Sequence, residues 1–479
     1  MKKNLTKFRD VVIPLLNISI EVILICLPVI RAEAHRSVDK VVASGVKFIE
    51  AEQISKPSRL YLKGEWPTSV SSSPLAVLVG VGDPFGPDQE PTAFTTGSVI
   101  NELAMIYKFH PTLSSIPKMI SRGLPTLERY REGALYDFYP AIMSGGKRIH
   151  GTVGMMQSPI WNGFNNIPQD ADTTSVAFAA RIFAGHLADQ PFVVPQETVK
   201  SFSTFRDVHR LAEYYDRAEG FNDTGAFLTW QYDENNPKMP RFYFANAEEG
   251  PRIPFNRNDV DCIVNLNVLR LLALDHQSAS TTGRKQSCAM LAQVVEREQY
   301  QTCGIYYPNT YNFAFSAALT EQAGEECLKP QHIKMAKYLM ATQQVDGGWM
   351  NTGNMYINDR VHATAFAVYA LAQFGDVTDS EVQAALIRGA DFLMLQEKKS
   401  KAGNSYWDGE VFFTATAVAR SLVVWRSDSF TTGSVLLALS AVHESTGWQP
   451  YSNSRRKTVF ATSKGFAGTV ENLFRRLLT

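Results

Sequence analysis

Six apolar segments rich in small residues recur along the chain. Between them lie segments in which apolar and polar residues recur with helical periodicity. A helix that is apolar nearly all round is covered on most faces, whereas an amphipathic helix keeps one face in solvent. This alternation predicts an all-α, single-domain (α/α)6 toroid, with outer helices around inner ones. The predicted inner helices are 95–107, 173–187, 261–274, 311–322, 362–374 and 414–425, and a hexapeptide shared by 94–99 and 430–435 favours a seventh, closing helix at 431–442.

A degenerate repeat separates the apolar segments. Its clearest copy, at 334–349, has an aromatic–aliphatic pair, then a glutamine, then Gly-Gly-Trp. Further copies lie at 48–66, 294–306 and 388–407, and the copy at 294–306 has Tyr306 in place of tryptophan. A glutamine at a helix end can hydrogen-bond the backbone groups that the end leaves free. The repeats are therefore predicted to tie neighbouring helices together.

Insertions interrupt the helical pattern in three places. Residues 67–92 and 219–258 are long and rich in turn formers, so we expect loops or small hairpins at one end of the ring. The pair Gly145-Gly146 predicts a third hairpin, whose basic tip carries Lys147 and Arg148.

The first 34 residues stand apart from the predicted toroid, which we expect to span 35–479. Lysines precede an apolar stretch at 11–30, and an Ala-Glu-Ala triplet follows it, which is the outline of a secretory signal. Glu21 inside the stretch opposes membrane insertion by roughly 2.5–3.5 kcal/mol. A removed signal, a membrane-contacting helix and an ordinary packed helix all stay open. We expect a cytoplasmic location, with membrane contact through this segment allowed and export as the alternative.

The balance of charges and the cysteine spacing limit which partners and metal sites we expect. Lysine plus arginine and aspartate plus glutamate each total 47, so no charge excess favours nucleic acid, and none is expected as a partner. The five cysteines form no Cys-x-x-Cys pair and no Cys/His ligand spacing, which predicts reduced, buried thiols. Oligomeric state is not indicated by the sequence.

The most informative motif is Asp-Ala-Asp-Thr-Thr at 170–174, where the second apolar segment begins. Carboxylates at a helix start can cap its free N–H groups. Two close carboxylates also resist ionising together, so one can stay protonated. A carboxylic acid kept neutral at pH 7 is a strong proton donor. A helix cap and a proton donor are both open interpretations of these residues.

The repeats, the alternating helices and the Asp-x-Asp-Thr-Thr motif together resemble the β domain of class II terpene cyclases. That family includes squalene–hopene cyclases, class II diterpene cyclases and bacterial drimenyl diphosphate synthases. The resemblance implies that Asp172 protonates a linear isoprenoid, such as farnesyl or geranylgeranyl diphosphate, and that Asp170 positions this acid. Thr173 stands where many relatives have a third aspartate. The implied product is cyclic, drimane- or labdane-like, and retains its diphosphate, with Mg²⁺ as the implied cofactor.

A carbocation formed in this way needs aromatic faces around it in a dry cavity. We prefer four lining candidates because they are expected at the same end of the ring as the acid. These are Tyr311, Phe313, Phe412 and Phe413; the other candidates are Phe178, Phe315, Phe366, Tyr369 and Trp425.

A second polar cluster opens the third predicted inner helix. Asp259 and Asp261 offer carboxylates of the kind that bind magnesium, so they are the metal-site candidates. With Arg257 and Asn265 they could hold a magnesium-bound diphosphate. A plain helix cap is an equal alternative for either aspartate.

Other functions stay open. A protein prenyltransferase-like subunit would need a zinc site, and here Asp261 directly adjoins Cys262 instead of standing two residues away, with His362 as the distant histidine. A non-catalytic toroid could bind an isoprenoid or a glycan without turnover. A glycan-active (α/α)6 enzyme would want paired carboxylates along an open groove.

Overall fold

The computed structural model describes residues 37–72, 88–154, 163, 165–237, 239–240, 249–351, 359–415 and 422–450. The chain divides into two compact units, Asp39–Trp448 and a second unit made of Met1–Val38 with Gln449–Thr479. In the second unit, the Val38 amide donates to the Gln449 side chain at 2.8 Å. The predicted N-terminal segment 1–34 lies outside the described residues.

Thirteen α-helices lie in the described ranges. They are α1 Val38–Glu52, α2 Ala93–Phe109, α3 Ser115–Gly123, α4 Ala171–Leu187, α5 Gln196–Thr204, α6 Tyr214–Glu219, α7 Cys262–Leu274, α8 Arg284–Glu296, α9 Asn312–Gln322, α10 His332–Thr342, α11 Val361–Phe374, α12 Ser380–Leu395 and α13 Asp428–Thr446. Within these ranges we find no helix that is both long and apolar enough to cross a membrane.

Six helices form a closed inner ring. Helices α2, α4, α7, α9, α11 and α13 each contact the next, and α13 contacts α2. Their residues are buried on nearly every side, because the ring covers one face and the outer helices another. Helices α1, α3, α5, α8, α10 and α12 alternate with them along the chain as the outer layer. This arrangement confirms the predicted α/α toroid.

The repeated glutamines satisfy backbone groups at helix ends, as predicted, and the tryptophans do so as well. In the first copy, the Gln53 amide donates to the carbonyls of Gly64 and of Met119 on α3, both at 2.9 Å. The tryptophan indole donates to the second residue of the aromatic–aliphatic pair in its own copy. These bonds join Trp66 to Ile49, Trp349 to Leu339 and Trp407 to Leu393.

Ten short strands complete the described chain. They are β1 Ser69–Ser72, β2 Asp88–Gln89, β3 Arg131–Glu132, β4 Leu135–Tyr136, β5 Ala141–Ser144, β6 Lys147–His150, β7 Lys398–Lys399, β8 Ser405–Tyr406, β9 Val411–Ala415 and β10 Val423–Arg426. Strands β2, β1, β10 and β9 form an antiparallel sheet in that order. Strands β5 and β6 confirm the predicted hairpin, whose turn residues Gly145 and Gly146 have φ of 56° and 81°.

One predicted inner helix is wrong. Residues 414–425 were expected to be helical, but their described parts belong to β9 and β10. The apolar runs here are β-branched and aromatic, which favours an extended backbone once a partner strand is available. Helix α13, expected as a seventh, closing helix, is therefore the sixth. Of the predicted insertions, residues 73–87, 238 and 241–248 lie outside the described residues.

Four of the five cysteines form disulfides, which corrects the expectation of reduced thiols. Cys262 bonds Cys303, and Cys288 bonds Cys327, across sequence separations of 41 and 39 residues. Such wide spacing follows no short motif, so cysteine spacing alone could not reveal it. The described residues include one metal-ligand grouping, in which Glu325 joins the second disulfide pair. Both sulfurs there are already bonded to each other, so they offer no thiolate.

Candidate active site

The Asp-Ala-Asp-Thr-Thr motif begins helix α4. Asp170 is the N-cap, and its Oδ1 accepts the Thr173 backbone amide at 2.5 Å. Asp172 lies in the first turn, where its Oδ1 accepts from Asn267 Nδ2 at 2.7 Å and its Oδ2 accepts from the Tyr307 hydroxyl. The two aspartates are 5% and 4% exposed. One carboxyl therefore caps the helix while the other is held by side chains from α7 and from the loop before α9.

Burial raises the pKa of both carboxyls. It raises the pKa of Asp170 to about 8, with the charge of Asp172 as the second cause and hydrogen bonds from Thr173 in opposition. It raises the pKa of Asp172 to about 6, against the hydrogen bonds from Tyr307 and Asn267, which favour the ionised form. The pair therefore retains a proton near neutral pH and titrates as a unit. Asp170 is engaged with the backbone at the helix end, whereas Asp172 is held by two side chains.

A cavity lies inside the ring and is lined by residues of all six inner helices. Asn267 and Tyr307, the two hydrogen-bond partners of Asp172, are part of its wall. Six aromatic side chains also line it: Phe94, Tyr307, Phe315, Phe366, Phe412 and Phe430.

Phe413 is the centre of an aromatic cluster beside Tyr307. Its ring centroid lies 4.9 Å from that of Phe138, 5.7 Å from Tyr306, 5.8 Å from Tyr307 and 5.9 Å from Phe94. These side chains form an aromatic cluster beside Tyr307, which bonds the acid. Of the two lining candidates expected here, Phe412 lines the cavity, and Phe413 contacts Tyr307 without being part of the lining.

Tyr311 and Phe313 do not line the cavity. Tyr311 packs against Tyr338 of the outer helix α10, and Phe313 packs against Tyr300, at centroid distances of 6.2 Å and 5.5 Å. The face of α9 that lines the cavity instead carries Asn312, Phe315, Ser316 and Leu319. These positions follow helical spacing, so the preferred candidates on α9 were on the wrong face.

The remaining aromatic candidates divide in the same way. Phe315 and Phe366 line the cavity, with their rings stacked at 4.5 Å. Phe178 packs against Tyr136, and Trp425 packs against Phe138 and Phe413. Tyr369 contacts the Phe315 ring and donates its hydroxyl to Gln322.

Asp261 is a structural cap. Its Oδ1 accepts the amides of Ile263 and Val264, and its Oδ2 accepts those of Ile305 and Tyr306. Four N–H donors fill the approximately four acceptor positions of a carboxylate. No position is left for magnesium or a substrate, so this geometry does not fit Asp261 as a metal ligand or a substrate contact.

The other members of the second cluster also have structural partners. Asn265 exchanges hydrogen bonds with the backbone of Phe227 and accepts one from Ser287 of the outer helix α8. Asp259 accepts from the Trp230 indole at 3.1 Å and from the Tyr306 hydroxyl at 2.7 Å. Arg257 lies 3.6 Å from Glu234, with 42% of its side chain exposed. The structure does not bring these residues together with Asp172 as one diphosphate site.

Sequence reasoning missed four polar residues at the cavity: Glu102, Asn267, Arg270 and Tyr307. Glu102 and Arg270 are charged residues within otherwise apolar inner-helix segments, which was a readable signal. Asn267 and Tyr307 carried no signal, because their roles depend on long-range contacts. The zinc site of the prenyltransferase alternative finds no support here, since the Cys262 sulfur is in a disulfide.

No protein-family model matches this sequence, and no curated protein is detectably similar to it. Among solved structures, the chain is similar to a variant of the type II terpene cyclase MstE from Scytonema in complex with geranylgeranyl dihydroxybenzoate, its substrate. Identity is 14%, covering 85% of this chain and 98% of that one, with a TM-score of 0.52.

A second MstE variant, in complex with its product merosterolic acid A, gives 15% identity, 85% and 97% coverage and a TM-score of 0.52. The ent-copalyl diphosphate synthase from Streptomyces platensis is 15% identical over 74% of this chain and 50% of that one, with a TM-score of 0.39. At such identities the likeness to MstE shows the fold: the chain has the α/α toroid of type II terpene cyclases.

Proposed function

We propose that this chain is a class II terpene cyclase in which Asp172 protonates the terminal alkene of a linear isoprenoid. One observation carries the proposal: a buried carboxyl with a raised pKa is hydrogen-bonded to Asn267 and Tyr307, which line an aromatic-rich cavity inside the ring. Protonating a plain alkene needs a desolvated and correctly aimed acid. The fold shared with MstE supports the same function.

In the proposed reaction, the Asp172 proton forms a C–H bond at the terminal alkene and leaves a carbocation at the neighbouring carbon. Internal alkenes attack in turn, each π pair becoming a new ring bond. Loss of a proton from the last cation makes the reaction an isomerisation. Tyr307 and Asn267 hold the acid in place, and Asp170 caps the start of the same helix.

The aromatic wall stabilises the cation along this path. Phe94, Phe315, Phe366 and Phe412 present rings to the cavity, and each cation–π contact contributes about 0.5–2 kcal/mol. Desolvation by the apolar substrate further disfavours ionised Asp172, which keeps the proton available for transfer.

The substrate is proposed to be farnesyl or geranylgeranyl diphosphate, with a prenylated aromatic acid as the second candidate, because MstE takes geranylgeranyl dihydroxybenzoate. Magnesium stays a prediction for a diphosphate substrate, without Asp261 as its ligand. Cellular location also stays a proposal. The two disulfides favour the exported alternative, since such bonds persist in oxidising compartments.

The proposal is tested by incubating the purified chain with each candidate substrate, with and without magnesium. Gas chromatography–mass spectrometry after phosphatase treatment would identify products. A cyclic isomer of one substrate is the expected result. Quantitative recovery of every linear substrate, by a protein that binds them, would favour the non-catalytic alternative instead.

A further inference from the structure

The same cavity has a charged end that the proposed reaction does not use. Glu102 and Arg270 line it and are 5% and 6% exposed. Arg270 lies one helical turn beyond Asn267 on α7, and therefore on the same face. Its guanidinium lies 5.5 Å from the Phe183 ring. About 16 Å of helix rise separates Phe183 from Asp172 along α4, so the arginine and the acid lie at different depths of one cavity.

Arg270 is a buried cation without a carboxylate partner. In the described part of the chain, its hydrogen-bond acceptor is the Met105 sulfur at 3.3 Å, a weak acceptor for a group with five donors. Burial lowers the pKa of Arg270 to about 10, so the group stays charged at neutral pH. Its remaining donors are available to a ligand in the cavity.

Glu102 lies near enough to Arg270 for their charges to interact, but within the described residues the two side chains form no salt bridge. Its Oε1 accepts from the Ser434 hydroxyl, and within the described residues its Oε2 has no hydrogen-bond partner. Burial raises the pKa of Glu102 well above its ordinary value, and the nearby charge of Arg270 opposes that rise. A buried charge without a partner is costly, and a bound anion removes that cost.

We infer that Arg270 binds the anionic head group of the isoprenoid, whose far alkene reaches Asp172. The inference rests on the proposed function and adds the residue that recognises the head group of the proposed substrate, a phosphate or a carboxylate. The planar guanidinium binds either anion through two parallel hydrogen bonds. Lys108 Nζ lies 5.3 Å from the centroid of the same Phe183 ring and adds a second positive charge at this end. The expected head-group contact Arg257 is instead half-exposed beside Glu234.

The test measures binding by isothermal titration calorimetry in an Asp172→Asn background, in which the probes are not consumed. The probes are geranylgeranyl diphosphate, geranylgeranyl dihydroxybenzoate and the neutral alcohol geranylgeraniol. Adding Arg270→Met should weaken binding of one or both anionic probes about 10- to 150-fold. Binding of the alcohol should hardly change. The probe that loses affinity identifies the head group as phosphate, carboxylate or both.

Arg181→Met is the matched control, because Arg181 is an inner-helix arginine that pairs with Glu128 and Tyr136. It should leave all three affinities unchanged. Arg270→Lys keeps the charge and should restore most of the anion affinity. If Arg270→Met does not fold, Arg270→Gln carries the same comparison, since it keeps donors but not the charge.

Equal weakening of all three probes, or of none, would overturn the inference. The proposed function fails separately, because it predicts cyclic product from the unmodified chain. Normal product formation with an unchanged KM in Arg270→Met would remove the inference and leave the cyclase proposal intact. Absence of product, together with anion binding that depends on Arg270, would remove the cyclase proposal and leave Arg270 as an anion-binding residue.

Discussion

Two Asp-x-Asp motifs begin neighbouring inner helices, yet they differ in what their carboxyls can do. At 170–172 the first aspartate is the N-cap of α4, and the second lies inside the first turn. At 259–261 the second aspartate is the N-cap of α7, and the first lies before the helix. The same pattern is therefore displaced by two residues relative to the helix start.

This displacement decides between chemistry and structure. A residue in the first turn can direct its side chain toward the ring interior, and Asp172 meets the wall of the cavity there. A residue at the N-cap directs its oxygens to backbone amides, and Asp261 binds four of them. Residue types and spacing alone are the same in both motifs, so the start of the helix carries the information.

The largest expected effect is loss of the acid itself. Asp172→Asn should lower the cyclisation rate by about 10²- to 10⁴-fold, the usual contribution of a positioned general acid. The melting temperature should change little, because the amide keeps the shape of the carboxyl. Product formation measured beside thermal unfolding checks both. Asp379→Asn, at the N-cap of the outer helix α12, is the control and should keep the full rate. An undiminished rate in Asp172→Asn would remove Asp172 from its role.

Asp261→Asn should instead act on stability. Its amide NH₂ would face backbone N–H groups that now donate to a carboxylate oxygen. Two buried donors left without an acceptor should lower the free energy of unfolding by about 2–6 kcal/mol. Urea unfolding of this variant and of Asp379→Asn compares the two caps. The outer cap should lose almost nothing, since asparagine caps a helix about as well as aspartate.

The comparison extends to the disulfide beside the second motif. Cys262–Cys303 joins the start of α7 to the loop that carries Tyr306 and Tyr307. Replacing both cysteines by serine should lower the free energy of unfolding by about 2–4 kcal/mol. The rate should fall as well, since Tyr307 holds the acid.

The second disulfide provides a matched control for this effect. Cys288–Cys327 closes a loop of similar length, 39 residues against 41, on the outer side of the ring. Its double serine variant should lose similar stability and keep the rate per folded molecule. Equal losses of rate in both variants would mean that the first disulfide has no particular connection with the acid.

Much of the fold was predictable because it depends on local periodicity. The alternation of apolar and amphipathic segments predicted five of the six inner helices, and the repeats predicted the backbone contacts of Gln53. The strands at 411–415 and 423–426 were not predicted, because β10 pairs with β1 from more than 300 positions away and β9 pairs with β10.

The candidate site was predictable only where one motif contains it. Asp170 and Asp172 adjoin in sequence, and their pairing could be inferred from the residues themselves. Asn267 and Tyr307 reach Asp172 from 95 and 135 residues away. On α9, the choice between Phe313 and Phe315 depended on which face meets the ring interior, and the sequence of a helix that is apolar all round does not mark that face.

The smallest expected effect comes from comparing two adjacent tyrosines, each of which bonds an aspartate of a different motif. The Tyr307 hydroxyl donates to Asp172, and the Tyr306 hydroxyl donates to Asp259. The Tyr307 bond stabilises the ionised carboxylate and so lowers the pKa of Asp172 from the value that burial alone would give. Removing it in Tyr307→Phe should raise that pKa above about 6 by about 1–2 units, the equivalent of one hydrogen bond to a charged group.

The active form of Asp172 is protonated, so the rate is retained below its pKa and lost as pH rises through it. The alkaline limb of the profile of kcat/KM against pH should therefore move 1–2 units higher in Tyr307→Phe, by the same conversion. The maximal rate should fall because the acid is held less firmly. Tyr306→Phe should leave the limb in place, since its partner is Asp259. If the limb moves equally in both variants, or moves to lower pH in Tyr307→Phe, the bond from Tyr307 does not control the pKa of Asp172 separately from the second motif. The position of each motif relative to its helix start would then not explain the difference between them.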